Sequence, residues 1–550
     1  MRGRLAVLAS AALLLVAMTV ASAGTSLAST RSGARPSASK PATCVPVQRF
    51  SIRIRYDCLL SQAGHMFFDG TNGSSATVHG ANPSFGTNAD AADPNEDLAA
   101  GQSETAIGAV GSRVVAAWND VTGFLVTDST KKQGSVTGVA YSNKGTTNFK
   151  DLVGLPNNNP QMMWFGDPTV AAIDANHFVI GSLYLPSFHG TCRASFLALA
   201  VSVMTVNPNG SLSFTNPIIA ANGGGACENS AFLDKEFLSY DPVSRTLAMS
   251  YTSFIFNPPA NCDNGEEDLV RATVPADPAT LTSADWSAPI VVGPEFGGDC
   301  QFNDFVAQEG SYPAVAPGGD IYVTWEKNID SNLFGGPDPY VYIMAAHIPA
   351  GGTAPDTTVV ASLNQPGSVR LTGGFKSLDA TQITGYTRFL GQDFPRIAYN
   401  SVLGQVDIEW NSASLHPLGD IFLKALAPGL ADNATAPVMQ VNDDSDFTLH
   451  FLPAVSVRSD GSICSSWYDR RLGGASSTLT DYFGECRSSA GVNGADFRIT
   501  TGSTDWNGTG SLIDPNFGDY TDNTSTGGTT YYLWADGRVG VPNPFADSHT

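Results

Sequence analysis

From about residue 100 onward the chain repeats one pattern: a polar or acidic residue, a short alternating apolar run, a turn of Gly, Asp or Asn, and a second apolar run that ends in an aromatic. The clearest copy is Glu309-Gly-Ser-Tyr-Pro-Ala-Val-Ala-Pro-Gly-Gly-Asp-Ile-Tyr-Val-Thr-Trp325. Others run from Glu104 to Trp118, Asp167 to Tyr184, Glu236 to Tyr251, Asp393 to Trp410, His450 to Trp467 and Asp519 to Trp534. Each predicts two antiparallel strands joined by a tight turn such as Pro317-Gly-Gly-Asp320. The closing aromatics recur at intervals of roughly 57 to 85 residues, longer than a solenoid rung. A third strand follows most copies, as in Gly138–Ser142 and Tyr340–Met344, and then a candidate fourth that ends in Trp or Phe. Four strands per repeat predict an all-β fold, a β-propeller of four-stranded blades. The seven copies favour seven blades, with six as the alternative. No amphipathic helical stretch alternates with these strands, which argues against a parallel α/β fold.

The N-terminus follows a different pattern. Met1-Arg-Gly-Arg4, the apolar run Leu5 to Val20 and Ala21-Ser-Ala23 form the basic, hydrophobic and small-residue order of a signal peptide, residues 1–23. Residues 24–45 are Ser/Ala/Pro-rich and read as a flexible tail. The propeller is expected over 101–550, and because only a short stretch follows Trp534, the segment 46–100 is expected to help close the ring. Gln48-Arg-Phe-Ser-Ile-Arg-Ile-Arg55 is a candidate closing strand. The apolar run Phe196 to Val206 is too short to span a bilayer, so a secreted, extracellular product without membrane insertion is expected.

Composition agrees with a β-rich globular chain: 15% charged residues, 56 Gly and 33 Pro disfavour long helices and disorder alike. The net charge is −22, and residues 1–45 hold Arg2, Arg4, Arg31, Arg35 and Lys40 but no acid, so the rest is more acidic still. Such a surface repels phosphate backbones, which excludes nucleic acid as a partner. In an exported chain the eight cysteines, Cys44, Cys58, Cys192, Cys227, Cys262, Cys300, Cys464 and Cys486, point to disulfides between sequence neighbours. No C-x-x-C supports a zinc site.

Several turns resemble those of a known family. Ser142-Asn-Lys-Gly145-Thr-Thr-Asn-Phe149 is similar to the Asp-box turn, or BNR repeat, of sialidase-like propellers, with weaker echoes at Asn209–Phe214, Ser283–Trp286 and Ser488–Phe497. Gly166-Asp-Pro-Thr-Val170, Leu452-Pro-Ala-Val455, Trp467-Tyr-Asp-Arg-Arg471, Gly518-Asp-Tyr520 and Trp534-Ala-Asp-Gly-Arg538 are also similar to phrases of exported bacterial members. The resemblance covers roughly residues 100 to 540 and implies a propeller that acts on or binds glycans, of glycoside hydrolase type if catalytic. The Arg-Ile-Pro signature of true sialidases is missing, and no Tyr or Glu is matched to their nucleophile pair. A non-catalytic propeller that binds extracellular glycan or protein is the alternative.

Antiparallel pairing puts the start of each first strand and the end of each second strand on one rim. The first-strand starts carry Glu104, Asp167, Glu236, Glu309, Asp393, His450 and Asp519. The second-strand ends carry Asp120, Glu326, Lys327, Asn411, Asp469, Arg470, Arg471, Asp536 and Arg538. Acids converging at equivalent positions on a channel mouth would form an acid/base pair, a calcium site or a polar pocket. The structural reading is that they cap strand amides or pair with rim Arg and Lys. Asp167, Glu236, Glu309 and Asp393 are the catalytic candidates, since glycoside hydrolysis needs two carboxyl groups flanking the bond. Arg396, Arg470, Arg538, Asp519 and Tyr520 are the substrate-binding candidates, Arg396 and Arg470 for a carboxylate through the planar guanidinium. The recurring Trp-x-Asp-x-Arg phrase (Trp467, Asp469, Arg471; Trp534, Asp536, Arg538) reads as structure, with Trp in the inter-blade core and Asp paired to Arg. No cofactor is expected, Ca2+ aside. No G-x-S-x-G, H-E-x-x-H or P-loop occurs. Asn442-Asp-Asp-Ser-Asp446 lacks the Gly and Glu of a calcium loop and reads as a solvated turn.

Overall fold

The computed structural model describes residues 84–85, 88–90, 102–120, 135–152, 154–187, 196–225, 230–257, 262–296, 305–330, 340–364, 394–412, 415, 419–431, 437–444, 448–474, 477–506, 509, 518–540 and 542–550. Their strands form seven antiparallel sheets, each with its first three strands in chain order from the inside out, which is a seven-bladed β-propeller. The innermost pairs are Gln102–Val110 with Arg113–Asp120 in blade 1, Thr169–Asp174 with His177–Pro186 in blade 2, and Phe232–Asp241 with Thr246–Asn257 in blade 3. They continue as Phe305–Val315 with Ile321–Asp330, Arg396–Asn400 with Gln405–Ser412, His450–Val457 with Ile463–Asp469, and Asp522–Thr526 with Thr529–Asp536 in blades 4 to 7. All seven predicted strand pairs are thus present.

Blade 7 takes its outer strands from the other end of the chain: Asn88–Asp90 pairs with Asn543–His549 through Ala89↔Ala546 and Asp90↔Phe545, and Ser84–Phe85 adds the edge. The candidate closing strand Gln48–Arg55 lies outside the described residues. Between blades 7 and 1, the ring is joined by Ile107 N–H donating to Asp522 Oδ2 at 3.0 Å.

Blades stack face against face, so a strand is buried on both sides and its sequence reads as a continuous apolar run. Ala198-Leu-Ala-Val-Ser-Val-Met in blade 2 is buried at every position. The closing aromatics fill the seams: Trp118, Tyr184, Tyr251, Trp325, Trp410, Trp467 and Trp534 are all at most 2% exposed. Trp534 of blade 7 stacks on Tyr482 of blade 6 at 5.3 Å between centroids. The Trp-x-Asp-x-Arg phrase forms a clasp within these seams. Trp467 Nε1 donates to Asp469 Oδ2 at 2.9 Å, and Arg471 Nε to the same oxygen at 2.8 Å. The pattern repeats in blade 7, with Trp534 Nε1 and Arg538 Nη2 both on Asp536 Oδ2. Cys464 and Cys486 lie directly opposite on neighbouring strands of blade 6 and form the expected disulfide. The remaining cysteine pairings lie outside the described side chains.

The two ends of the ring differ. At one rim the first and second strands of successive blades are joined by 111–112, 175–176, 242–245, 316–320, 401–404, 458–462 and 527–528. At the other rim the second and third strands are joined by 121–136, 187–197, 258–261, 331–339, 413–419, 470–478 and 537–542, longer than the tight turn of the same blade everywhere but in blade 3. The Ser142–Phe149 turn lies at the tight rim, where Gly145 N–H donates to Ser112 O at 2.7 Å and Phe149 is buried. Long connections are where binding surfaces are built on rigid scaffolds, so the end at which the first strands begin is the one to examine for chemistry.

Candidate functional site

A local backbone device sets this end of the channel. In blades 1, 3, 4 and 6 the first strand slips register near its start, between Ser103 and Ala106, Asp234 and Phe237, Glu309 and Tyr312, and Phe451 and Ala454. A left-handed residue sits in each slip: Glu104 (φ 54°), Lys235 (φ 57°), Gly310 (φ 73°) and Leu452 (φ 52°), with Asp167 (φ 50°) alike in blade 2. A bulge re-aims side chains, and a non-glycine residue in this region costs roughly 1 kcal/mol or more. Four such residues at one place on the repeat mark a built feature.

Lys235 occupies the centre of the result. Its side chain is fully buried, and Nζ lies 2.7 Å from Asp519 Oδ2, 3.2 Å from Asp167 Oδ2 and 3.8 Å from Asp234 Oδ1. Blades 3 and 7 are not neighbours, so the Lys235–Asp519 pair spans the channel. Asn119 organises the blade 1 side: its Nδ2 donates to Glu104 Oε2 and, at 3.2 Å, to Asp167 Oδ1, while its Oδ1 accepts from Asp167 N–H at 2.5 Å. Close approach here requires glycine. A Cβ at Gly518 (φ +79°) would stand 2.6 Å from the Glu104 backbone nitrogen, and one at Gly166 (φ +94°) 2.5 Å from Asn119 Oδ1.

Glu236 stands beside this group. It is 1% exposed, and neither carboxyl oxygen has a hydrogen-bond partner in another described residue. Burial, then the neighbouring Asp167 charge, push its carboxyl well above the ordinary glutamate range. Glu104 is raised in the same direction, by burial first and by Asp167 and Asp519 next. Tyr520, also 1% exposed, has an unpartnered hydroxyl raised by burial and by Asp167, Glu104 and Glu236.

One step further along the strands lies a second layer. Phe237, Tyr312, Arg396 and Asp522 occupy one register position, each opposite the residue that adjoins a closing aromatic. Phe237 packs on Tyr312 at 4.7 Å and on Tyr520 at 4.9 Å. The buried Arg396 guanidinium lies over Phe237, Tyr312 and Tyr520 at 4.7, 5.0 and 5.8 Å, and its Nη1 donates to Pro395 O at 3.1 Å. This layer floors the acid–lysine group.

The structure therefore brings together Glu104, Asp167, Glu236, Asp519 and Tyr520, with Arg396 beneath them. Glu104 and Asp167 share the left-handed position, whereas Glu236 stands one place later and Glu309 one place earlier. Glu309 is half-buried and belongs with Glu267 of blade 3, whose carboxyl is raised by burial and by Glu309 among its neighbours. Asp393 lies outside the described residues. Arg470 is buried against Phe451, with Nε donating to Thr480 Oγ1 at 3.1 Å, and burial pushes its guanidinium down to about 10. Arg538 is held by Asp536 and Thr501. His450 is fully buried, its Nδ1 donating to Gly419 O at 2.8 Å and its Nε2 facing Asp444 and Asp469 at 3.1 and 3.3 Å. The stretch from Asn442 to Asp444 is thus a charged inter-blade contact rather than a solvated turn. Among the described residues no three His, Cys, Asp or Glu are arranged to hold a metal ion, and the centre of the acid group holds the Lys235 ammonium.

Lys235, Asn119, Phe237 and Tyr312 were not among the residues expected from the sequence. The one signal for Lys235 is the charged run Asp234-Lys-Glu236 directly before an apolar strand, a base at a place where other copies carry acid.

No protein-family model matches the sequence, and no curated protein matches it. Solved structures similar in fold include the α-L-arabinofuranosidase Arb93A of Fusarium graminearum, with 10% identity, a TM-score of 0.37, and 86% of this chain and 96% of that one covered. The Trypanosoma rangeli sialidase in complex with sialic acid shows 12% identity and a TM-score of 0.36 over 70% of this chain and 53% of that one. Puromycin hydrolase shows 11% identity and a TM-score of 0.39 over 83% and 53%.

Proposed function

We propose that this protein is an exported propeller that acts on glycans at the long-connection rim, as a glycoside hydrolase in which Glu236 is the acid and Asp167 the partner carboxylate. The observation that carries the reading is the contrast between these neighbours. Glu236 is buried, unpartnered and held toward its neutral form, whereas Asp167 is fixed by Lys235 and Asn119. A carboxyl group held neutral beside one paired to a cation is an arrangement suited to acid catalysis. The Glu236 carboxyl would give its proton to the glycosidic oxygen as the bond to the anomeric carbon breaks, Asp167 would stabilise the positive charge at that carbon or bond to it, and water would then add there and return a proton to Glu236. Incubation with a panel of aryl-glycosides tests it: turnover that falls at least a hundredfold in Glu236→Gln and in Asp167→Asn supports the roles, and turnover unchanged in both refutes them.

One observation favours the second reading, a non-catalytic glycan-binding propeller. Lys235 already neutralises part of the acid group, as a purely structural polar network would. Glycan binding without turnover of any aryl-glycoside would select it.

A further inference from the structure

The charge balance of the channel mouth points to what it takes. Glu104, Asp167, Glu236, Asp519 and Asp234 are five carboxyl groups gathered around one ammonium, Lys235. Lys235 contacts three of the acids, and Arg396 lies one register position deeper, its guanidinium against three aromatic rings, its Nη1 on a backbone carbonyl and its Nε without a partner among the described residues. Two polar groups in the carboxyl layer have no hydrogen-bond partner among the described residues, the Glu236 carboxyl and the Tyr520 hydroxyl, each 1% exposed and each interacting electrostatically with Asp167. Both can accept a hydrogen bond.

We propose that the mouth of the channel is a site for a protonated amine, and, resting on the glycan reading above, that the ligand is a glycan carrying a free amino sugar rather than an acidic or N-acylated one. The ammonium would donate to Glu236 and Tyr520. It would supply positive charge that the single Lys235 ammonium does not provide for the carboxyl groups around it. A sialoside or uronate would place like charge against this layer, a contact that discriminates by repulsion as well as by attraction to the right ligand.

Isothermal titration calorimetry at low salt and pH 7 tests this with four probes: glucosamine oligosaccharides, their N-acetylated counterparts of equal length, oligosaccharides ending in glucuronate or sialic acid, and cadaverine. The free-amine oligosaccharide should bind at least tenfold more tightly than the N-acetylated one, and the acid-ended ones should not bind. Glu236→Gln and Tyr520→Phe, each close in shape to the native residue, should each weaken the amine probe at least tenfold. Should either variant unfold, the ranking of probes on the native protein decides by itself. Acid-ended probes binding as well as the amine, or N-acetylation making no difference, would overturn the amine site while leaving the glycan reading intact. Cadaverine binding as tightly as any amino sugar, with no other sugar bound, would support the amine site and remove the glycan reading.

Discussion

His450 offers the most direct test of the inter-blade electrostatics. Its Nδ1 faces the Gly419 carbonyl, which only accepts, so Nδ1 carries a proton; its Nε2 lies 3.1 and 3.3 Å from the carboxylates of Asp444 and Asp469. Two carboxylates beside it favour an imidazolium, although burial opposes it, and raise its pKa from near 6.5 to about 10. In return Asp444 is held well below the usual carboxylate range, with the imidazolium the largest favourable cause. Because the folded pKa lies above the unfolded one, the stabilisation is complete below about pH 6.5 and disappears as pH rises through about 10. A shift of this size corresponds to about 5 kcal/mol at most, lost at about 1.4 kcal/mol per pH unit across the window. The informative quantity is the difference between native protein and His450→Gln, since the other titrations cancel. Arg471 lies within 3.3 Å of Asp444 and 2.7 Å of Asp469 and stays charged throughout. Urea midpoints measured every half unit from pH 6 to 10.5 at fixed ionic strength should show the native protein well ahead at pH 6 and the two converging near pH 10. A gap that is constant over the window would refute an imidazolium at this position.

Other consequences follow from the same contacts. Lys235→Met removes the cation from three buried carboxylates and should cost about 3–5 kcal/mol, read as a lowered melting temperature; an unchanged melting temperature would contradict the ion pairs at 2.7 and 3.2 Å. Asp469→Asn and Asp536→Asn both break a Trp–Asp–Arg clasp, but Asp469 also faces His450. The first should therefore be the more destabilising in urea unfolding, and the reverse order would be incompatible with the two environments. Replacing Cys464 and Cys486 together by Ala opens a loop with a sequence separation of 22, for an expected loss of about 3 kcal/mol that reductant should reproduce in the native protein.

The ring was readable from the sequence because a blade cannot hide its pattern. Each hairpin ends in a large side chain that fills the wedge between blades, and Trp118, Tyr184, Tyr251, Trp325, Trp410, Trp467 and Trp534 announce that wedge once per repeat. The Trp-x-Asp-x-Arg clasp was readable for the same reason: its partners are two residues apart, and local spacing survives folding. The strands that complete blade 7 were harder to locate. Ser84–Phe85 and Asn88–Asp90 are two and three residues long, too short for a periodic pattern to show.

The site was legible in its residue types but not in its register. Counting back from the strands aligns Glu104, Asp167, Glu236, Glu309 and Asp519 as though one position of the repeat carried acid throughout. The bulges break that alignment. Glu104, Asp167 and Lys235 hold the left-handed place, Glu236 the next one, and Glu309 sits before Gly310. A one-residue offset sends a side chain to a different neighbour, so Glu309 joins Glu267 whereas Asp519 crosses the channel to Lys235. Nothing periodic foretells the partner of Lys235, because the contact joins blades 3 and 7, which are remote in the chain and not adjacent in the ring. At this layer the seven-fold repetition is broken by a single lysine among acids, with the Glu236 carboxyl and the Tyr520 hydroxyl beside it unpartnered among the described residues. In a ring whose seams are otherwise filled by repeated aromatics, that departure is the strongest argument that the layer is built to receive something from outside.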